Sequence, residues 1–440
     1  MRIIREDQIG PFMDRLTKRA SSSEREDAVQ KTVRTILRDV RMHGDKALRR
    51  YTEKFDSIQL GRLSVDRKEI SASARKAEKT VRRSLEASAG RIRIFHERQM
   101  EKSWQFSRDG ITVGQIIRPV RRAGVYVPGG KAAYPSTVMM NVIPAQVAGV
   151  REIALCVPTP GGALNPYVAC AIKLLGIKEV YRIGGAQAVA ALAYGTDTIK
   201  KVDKIVGPGN IYVAVAKRMV FGEVGIDMVA GPSEILVLAD KTANAAFIAS
   251  DLLSQAEHDE MASSVMITDS VSLAEEVYAE LAGRMKTLKR KDIAAKSIRK
   301  YGAIIVTKSM KKAVDIANRI APEHLELMVA KPKALLPGIQ NAGAVFLGKW
   351  TPEPLGDYAA GPNHTLPTSG TARFSSPLGV YDFIKRTSLI DASRSGFMKL
   401  AETVETLADI EGLEAHGNTI RVRRAGMTGK EGKRDRQERK

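Results

Sequence analysis

Residues 124–157 read GVYVPGGKAAYPSTVMMNVIPAQVAGVREIALCV. Two short apolar runs, 124–128 and 152–157, flank a stretch at 136–149 that is long enough for a helix. The first run breaks at Pro128-Gly129-Gly130. A strand, a tight turn, a helix and a second strand form a crossover, which joins parallel strands rather than a hairpin. The pattern continues with strand candidates at 179–183, 204–206 and 235–239 and helix candidates at 165–175, 186–194 and 210–219. A second series follows: helix 242–256, strand 263–268, helix 272–286, strand 302–307, helix 310–320 and an apolar run at 325–329. The expected class is α/β, with two tandem parallel sheets flanked by helices.

Around this core the chain changes character. Residues 22–105 read as helices, with Val29, Val33, Ile36, Leu37 and Val40 at helical spacing and a stop at Gly44. The segment 351–379 has no periodicity and is crowded with Pro and Gly; a loop this long is functional or disordered. Its aromatic, Asp, Asn, His and Arg content favours function. Residues 380–416 read as a small helical unit.

A chain of 440 residues exceeds one typical core, so two or more domains are expected. No run of 18 apolar residues suggests a membrane helix, and the N-terminus lacks a signal-peptide core. Two cysteines fit a reducing compartment, so a cytoplasmic location is expected. The net charge of +21 raises a nucleic-acid reading. Residues 421–440, however, hold nine Lys/Arg and three Asp/Glu, 9 − 3 = +6, in a tail expected to be disordered. The rest is spread over amphipathic helices, so no specific nucleic-acid partner is expected.

The chain has six histidines. His43 and His96 lie in charged helical stretches and read as surface residues. His258, His324, His364 and His416 sit in loops or at element ends, where sites tend to be built. Gln255 and His258 are three apart on the expected 242–256 helix, on neighbouring positions of one face. Glu323-His324, in the stretch APEHLEL at 321–327, is an adjacent ionisable pair between a proline and an apolar run. On local pattern it reads slightly more readily as a polar pair in a connection than as acid–base chemistry. Gly-rich turns at 128–130, 184–185 and 207–210 each follow a strand, where backbone can approach a nucleotide, though tight turns account for them as well. Cys156 and Cys170 lie in apolar runs and read as inert core residues.

The blocks MVAGPSEILVLA (228–239), SDLLSQAEH (250–258), RIAPEHLEL (319–327), GPNHTLPT (361–368) and EGLEAH (411–416) resemble the histidinol dehydrogenase family. The resemblance runs in order from about residue 2 to 422. It implies oxidation of L-histidinol to L-histidine through L-histidinaldehyde, with two NAD per turnover and one zinc per subunit. By position, Gln255, His258, Asp357 and His416 match the zinc ligands, and Glu323 and His324 the acid–base pair. Ser233, His364 and Glu411 match substrate contacts, joined by the zinc ligands and the acid–base pair. Tyr126, Gln187 and Asn210 match NAD contacts. Glu323 is expected to be anionic without any adjustment of its pKa.

The resemblance further implies two incomplete Rossmann-like domains and a homodimer in which a C-terminal unit completes the partner's active site. The layout expected here is an N-terminal extension (1–21), a first domain (22–121 with 235–378), a second domain (122–234), a C-terminal helical domain (379–422) and a basic tail (423–440). Two other readings stand beside this one: a relative oxidising another amino- or sulfo-alcohol, and a basic α/β scaffold.

Overall fold

The computed structural model describes residues 1–19, 23–129 and 133–428. They divide into two compact units. One holds Met1–Met100 and Pro119–Phe383; the other holds Glu101–Arg118 and the described residues from Ile384 onward.

The first unit contains two sheets. Six strands run in the order Arg2–Arg5, Ala303–Val306, Ser263–Thr268, Glu234–Ala239, His324–Met328, Ala344–Leu347, each parallel to its neighbours. The other sheet has five strands in the order Glu179–Tyr181, Glu152–Cys156, Arg122–Tyr126, Lys204–Val206, Gly225–Ile226, again all parallel. Every residue of the Glu234–Ala239, Ser263–Thr268 and His324–Met328 strands is buried, as required of strands with helices on both faces. The α/β class with helix-flanked parallel sheets is therefore as expected.

Local chemistry sets the element ends that matter for the site. The Met310–Ile320 helix is capped by the Ser309 hydroxyl, which accepts from Lys312 N, and it buries Ala313, Val314, Ile316 and Ala317 on one face. It ends at Ala321 in the left-handed region (φ 50°), and this turn delivers Pro322, Glu323 and His324 straight into a strand. Left-handed backbone is costly for a residue with a Cβ.

Several expectations change. Residues 1–19 do not form an extension: Arg2–Arg5 is the edge strand of the six-stranded sheet, and Ile9 and Phe12 are buried in its core. A four-residue strand is too short to show a period, so its pairing was not legible locally. The helical stretch after Ser23 packs on the five-stranded sheet, not with residues 235–378. Val29, Val33, Ile36, Leu37 and Val40 share one core with Ala186, Val189, Leu192, Val213 and Ala216. Gly44 does stop the first helical stretch as expected: its backbone is non-helical (φ 48°, ψ −128°), and it divides Ser23–Asp56 into two helices that meet at a kink. His96, expected at the surface, is fully buried in the Lys79–Glu97 helix.

The second unit is not purely helical. Trp104–Arg108, Ile111–Pro119 and Ile384–Ala392 form a three-stranded sheet, followed by the Arg394–Ile410 and Glu414–Thr428 helices. The tail expected from 423 is thus helical as far as Thr428; its remainder lies outside the described residues.

If residues 1–19 are integral to the sheet, Phe12→Ala should cost about 3–5 kcal/mol in chemical unfolding. A loss below about 1 kcal/mol would make the segment an appendage after all.

Candidate active site

Glu323 and His324 enter the six-stranded sheet at the N-terminal end of its strands, next to Glu234, the first residue of the neighbouring strand. His324 stands opposite Ile235 in register. The two strand starts grip each other reciprocally. Glu234 N donates to Glu323 Oε2 (2.9 Å), Glu323 N donates to Glu234 Oε2 (3.3 Å), and His324 Nδ1 donates to Glu234 O (2.8 Å). Behind them the guanidinium of Arg19 pairs with the Glu234 carboxylate, all of it buried. The backbone carbonyl takes only a donor, so it fixes the imidazole with its proton on Nδ1 and leaves Nε2 facing the site.

His324 Nε2 is buried and has no hydrogen-bond partner of its own. Asp357 Oδ1 stands 3.5 Å from it and Glu353 Oε1 3.9 Å. Among the described residues, His324, Glu353 and Asp357 offer ligand-type atoms all within 4.8 Å of one another. Asp357 lies in a wide helical turn, Gly356–Ala360, seated by the Ser88 hydroxyl, which donates to Tyr358 O. Gly356 is needed there, since a Cβ would meet the Phe346 ring at 2.5 Å. Glu353 N donates to Glu326 Oε1 (2.8 Å), which ties the turn to the His324 strand. His364 Nδ1 lies 3.1 Å from Asp357 O. The neighbouring Asn363 bonds Met140 O (2.6 Å) and the buried His96 Nε2 (3.3 Å).

Gln255 and His258 reach the same edge because the Ala245–Ala256 helix runs back antiparallel to the strands, as a crossover helix must. The helix stops at Ala256, so His258 lies in the turn beyond it rather than on its face; His258 N donates to Gln255 O (3.2 Å). Gln255 Nε2 is 3.5 Å from His258 Nδ1, and Gln255 Oε1 is buried without a partner. Ser233, half-buried, directly precedes Glu234. Glu411 and His416 belong to the second unit, where both are exposed.

Charge is unbalanced here. Burial pushes the Glu323 carboxyl up to about 7 and Glu353 up to about 8, the latter helped by the charge on Asp357. Glu323 is therefore not the unadjusted carboxylate expected from sequence. Burial would depress His324, but Glu323, Asp357 and Glu353 outweigh it and hold the imidazolium up to about 10. Asp357, despite burial, is drawn down to about 2 by His324. Beneath them, burial raises Asp251 to about 6 and Glu326 well above the usual range, beside one another. Among the described residues, Glu323, Glu353 and Asp357 all face the His324 imidazolium, an excess of carboxyls that favours a further cation.

Glu353, Glu326, Glu234 and Arg19 went unread in the sequence. An acid held between two prolines (Pro352, Pro354) in the loop, and charged residues inside apolar runs, were the signals available.

At the five-stranded sheet, Tyr126, Gln187 and Asn210 sit at the opposite, C-terminal ends of the strands. The Tyr126 hydroxyl accepts from Gly185 N (3.1 Å). Gln187 is buried, with Oε1 unpartnered. Asn210 caps the Ile211–Val220 helix by accepting from Tyr212 N and Val213 N (3.0 and 3.2 Å). Cys156 and Cys170 are free and buried, and burial raises both thiols, consistent with inert core residues.

A buried imidazole–carboxyl pair among cation-seeking carboxylates, with glycine turns at the strand ends of a second parallel sheet, defines an α/β enzyme. A family model described as histidinol dehydrogenase matches residues 18–424. The histidinol dehydrogenase of Aquifex aeolicus is 52% identical over 414 residues, covering 94% of this chain and 96% of its own. That of Bacillus subtilis is 53% identical over 413 residues, 93% and 96%. The crystal structure of histidinol dehydrogenase from Elizabethkingia anophelis superposes with a TM-score of 0.88 at 38% identity, covering 91% of this chain and 93% of that one. The chain belongs to the histidinol dehydrogenase family, and so is an oxidoreductase of histidine biosynthesis.

The titrations fix a sign for stability in the metal-free protein. Glu323 (about 7 against 4.5), Glu353 (about 8 against 4.5) and His324 (about 10 against 6.5) all bind protons more tightly folded than unfolded. Stability should therefore fall as pH rises from about 7 to 10, above the range in which the lowered His96, His258 and His364 pull the other way. Glu323→Gln should flatten the lower part of that slope in thermal melts taken across pH. Stability rising over this range would contradict the electrostatics.

Proposed function

We propose that the chain oxidises L-histidinol to L-histidine by way of L-histidinaldehyde, with one zinc per subunit and two NAD per turnover, as a cytoplasmic homodimer. The observation that carries this reading is the cluster at the strand N-termini: a partnerless His324 Nε2 beside Asp357, with Gln255 Oε1 buried and unpartnered nearby. The donor set fits zinc. Gln255, His258 and Asp357 offer oxygen and imidazole nitrogen, the ligands zinc accepts, and burial holds His258 towards its neutral, ligating form. His416 is the proposed fourth ligand. Bound there, zinc would hold the amine and imidazole nitrogens of the substrate and neutralise the carboxylates that keep His324 protonated, while NAD would take up the hydride at both stages.

The chain's own groups move the protons. His324 Nε2, its tautomer set by Glu234 O, removes the hydroxyl proton as the carbinol carbon gives up hydride; one C–H bond breaks and a C=O bond forms. Glu323, once ionised, takes a proton from a water that adds to the aldehyde carbon, while His324 returns the proton it took from the alcohol to the aldehyde oxygen, which gives the diol and frees the imidazole. His324 then deprotonates the resulting diol as the second hydride leaves. Two hydrides account for the four electrons between alcohol and acid. Ser233, His364 and Glu411 are proposed to contact the substrate, Glu411 facing its positive charge. Tyr126, Gln187 and Asn210 are proposed to contact NAD, since they share the strand-end edge where glycine turns let backbone come close.

The test is stoichiometry: two NADH formed per histidinol consumed, lost on chelation and restored by zinc. Glu323→Gln should slow aldehyde oxidation roughly 100-fold or more while sparing alcohol oxidation. His324→Asn should depress both halves. Equal damage from Glu323→Gln to the two halves would remove the water-activating role. Because burial raises the Glu323 carboxyl and only its ionised form can take the water's proton, the aldehyde half should gain rate as pH rises.

The homodimer is supported by the second unit. Its Arg394–Ile410 helix leaves Leu400, Val404, Leu407 and Ile410 exposed at helical spacing, an apolar stripe suited to a second copy. If Glu411 and His416 serve the partner's site, Glu323→Gln and His416→Ala homodimers are each impaired, yet mixing them restores activity. Each mixed dimer then contains one intact site. No recovery after subunit exchange would mean that each site is built from one chain.

A further inference from the structure

Lys217 is among the largest fully buried side chains, and nothing in the chemistry above employs it. It lies in the Ile211–Val220 helix and pairs with Asp227, just past the Gly225–Ile226 strand; the side chains are 2% and 0% exposed. Both ends of the pair close on one residue. Lys217 Nζ donates to Gly207 O (2.8 Å), and Gly207 N donates to Asp227 Oδ2 (2.8 Å). Asp227 Oδ1 also accepts from Met228 N (2.6 Å). Gly207 is itself confined: its φ is 116°, and a Cβ there would stand 2.1 Å from Tyr126 O. The residue so held opens the turn Gly207-Pro208-Gly209-Asn210, at whose far end Asn210 caps the helix that carries Lys217.

A buried ion pair gives little net stability, because apolar residues of the same volume usually serve as well. What apolar residues could not do is satisfy the N–H and the C=O of one glycine at the same time. The pair therefore fixes the orientation of the two peptide units that flank Gly207 at the strand end, tight against the Tyr126 backbone. We infer that Lys217 and Asp227 are positioning residues for the dinucleotide, holding the 207–210 turn in the shape that NAD meets. This inference rests on the assignment of NAD to Tyr126, Gln187 and Asn210.

The experiment uses the zinc-loaded full chain with Lys217→Met/Asp227→Leu, which removes both charges together so that neither is left buried alone. The KM for NAD should rise on the order of tenfold to a hundredfold, as for a displaced binding element. Zinc content and the KM for histidinol should stay at wild-type values, since none of the proposed zinc or histidinol contacts lies on the 207–210 turn. A purely structural role would lower thermal stability without dividing the two KM values. Asp227→Asn, nearly isosteric, should show the same split in smaller measure and serves where the double variant does not fold. A folded variant with the wild-type KM for NAD overturns the inference. Asn210→Ala, run alongside, separates the two claims. If it raises the KM for NAD while the pair variants do not, only the positioning role falls; if neither does, the NAD assignment falls with it.

Discussion

The reciprocal bonding of Glu234 with Glu323 and His324 is the constraint on which the site depends. Adjacent parallel strands ordinarily share only backbone bonds. Here a carboxylate on each strand accepts the backbone N–H of the other, and the His324 ring is locked onto Glu234 O. Three buried ionisable groups are thereby held in one orientation, with Arg19 supplying the charge that Glu234 needs to remain buried. The imidazole thus presents one nitrogen, in one tautomer, towards Asp357 and Glu353.

From that fixed point the rest follows by topology. Parallel strands force each connecting helix to run back along the sheet, so the Ala245–Ala256 helix ends where the strands begin and leaves Gln255 and His258 beside His324. Ligands on open α/β sheets usually gather at strand C-termini. The six-stranded sheet does the opposite, and the five-stranded sheet keeps the usual edge with Tyr126, Gln187 and Asn210. One unit thus holds two polar edges of opposite sense, one built from carboxylates and imidazoles and the other from glycine turns.

The electrostatics of the first edge are unsettled by design of the residues themselves. Glu323, Glu353 and Asp357 crowd one imidazole in a buried place, and their pKa values are driven apart, from about 2 for Asp357 to about 8 for Glu353. Such spreading is how neighbouring titratable groups come to take different roles at one pH. It also explains why Glu323 differs from an ordinary surface carboxylate: its oxygen bonds a backbone N–H, but burial outweighs that bond.

By itself, the sequence determined the alternation of strand and helix, because apolar period and glycine punctuation are local signals. It also determined the α/β class, the inert cysteines and, through long matching blocks, the family. The tertiary structure decided what depends on distant partners. Arg2–Arg5 became a sheet edge because the Ala303–Val306 strand offered one, and His96 became core because Asn363 and Gln99 satisfy its ring. Lys217 became a buried anchor because Asp227 and Gly207 O meet it. Glu353 joined His324 and Asp357 only when a loop without periodicity folded back onto the strand. Charge burial is settled by what lies opposite in space, and no window of sequence contains that partner.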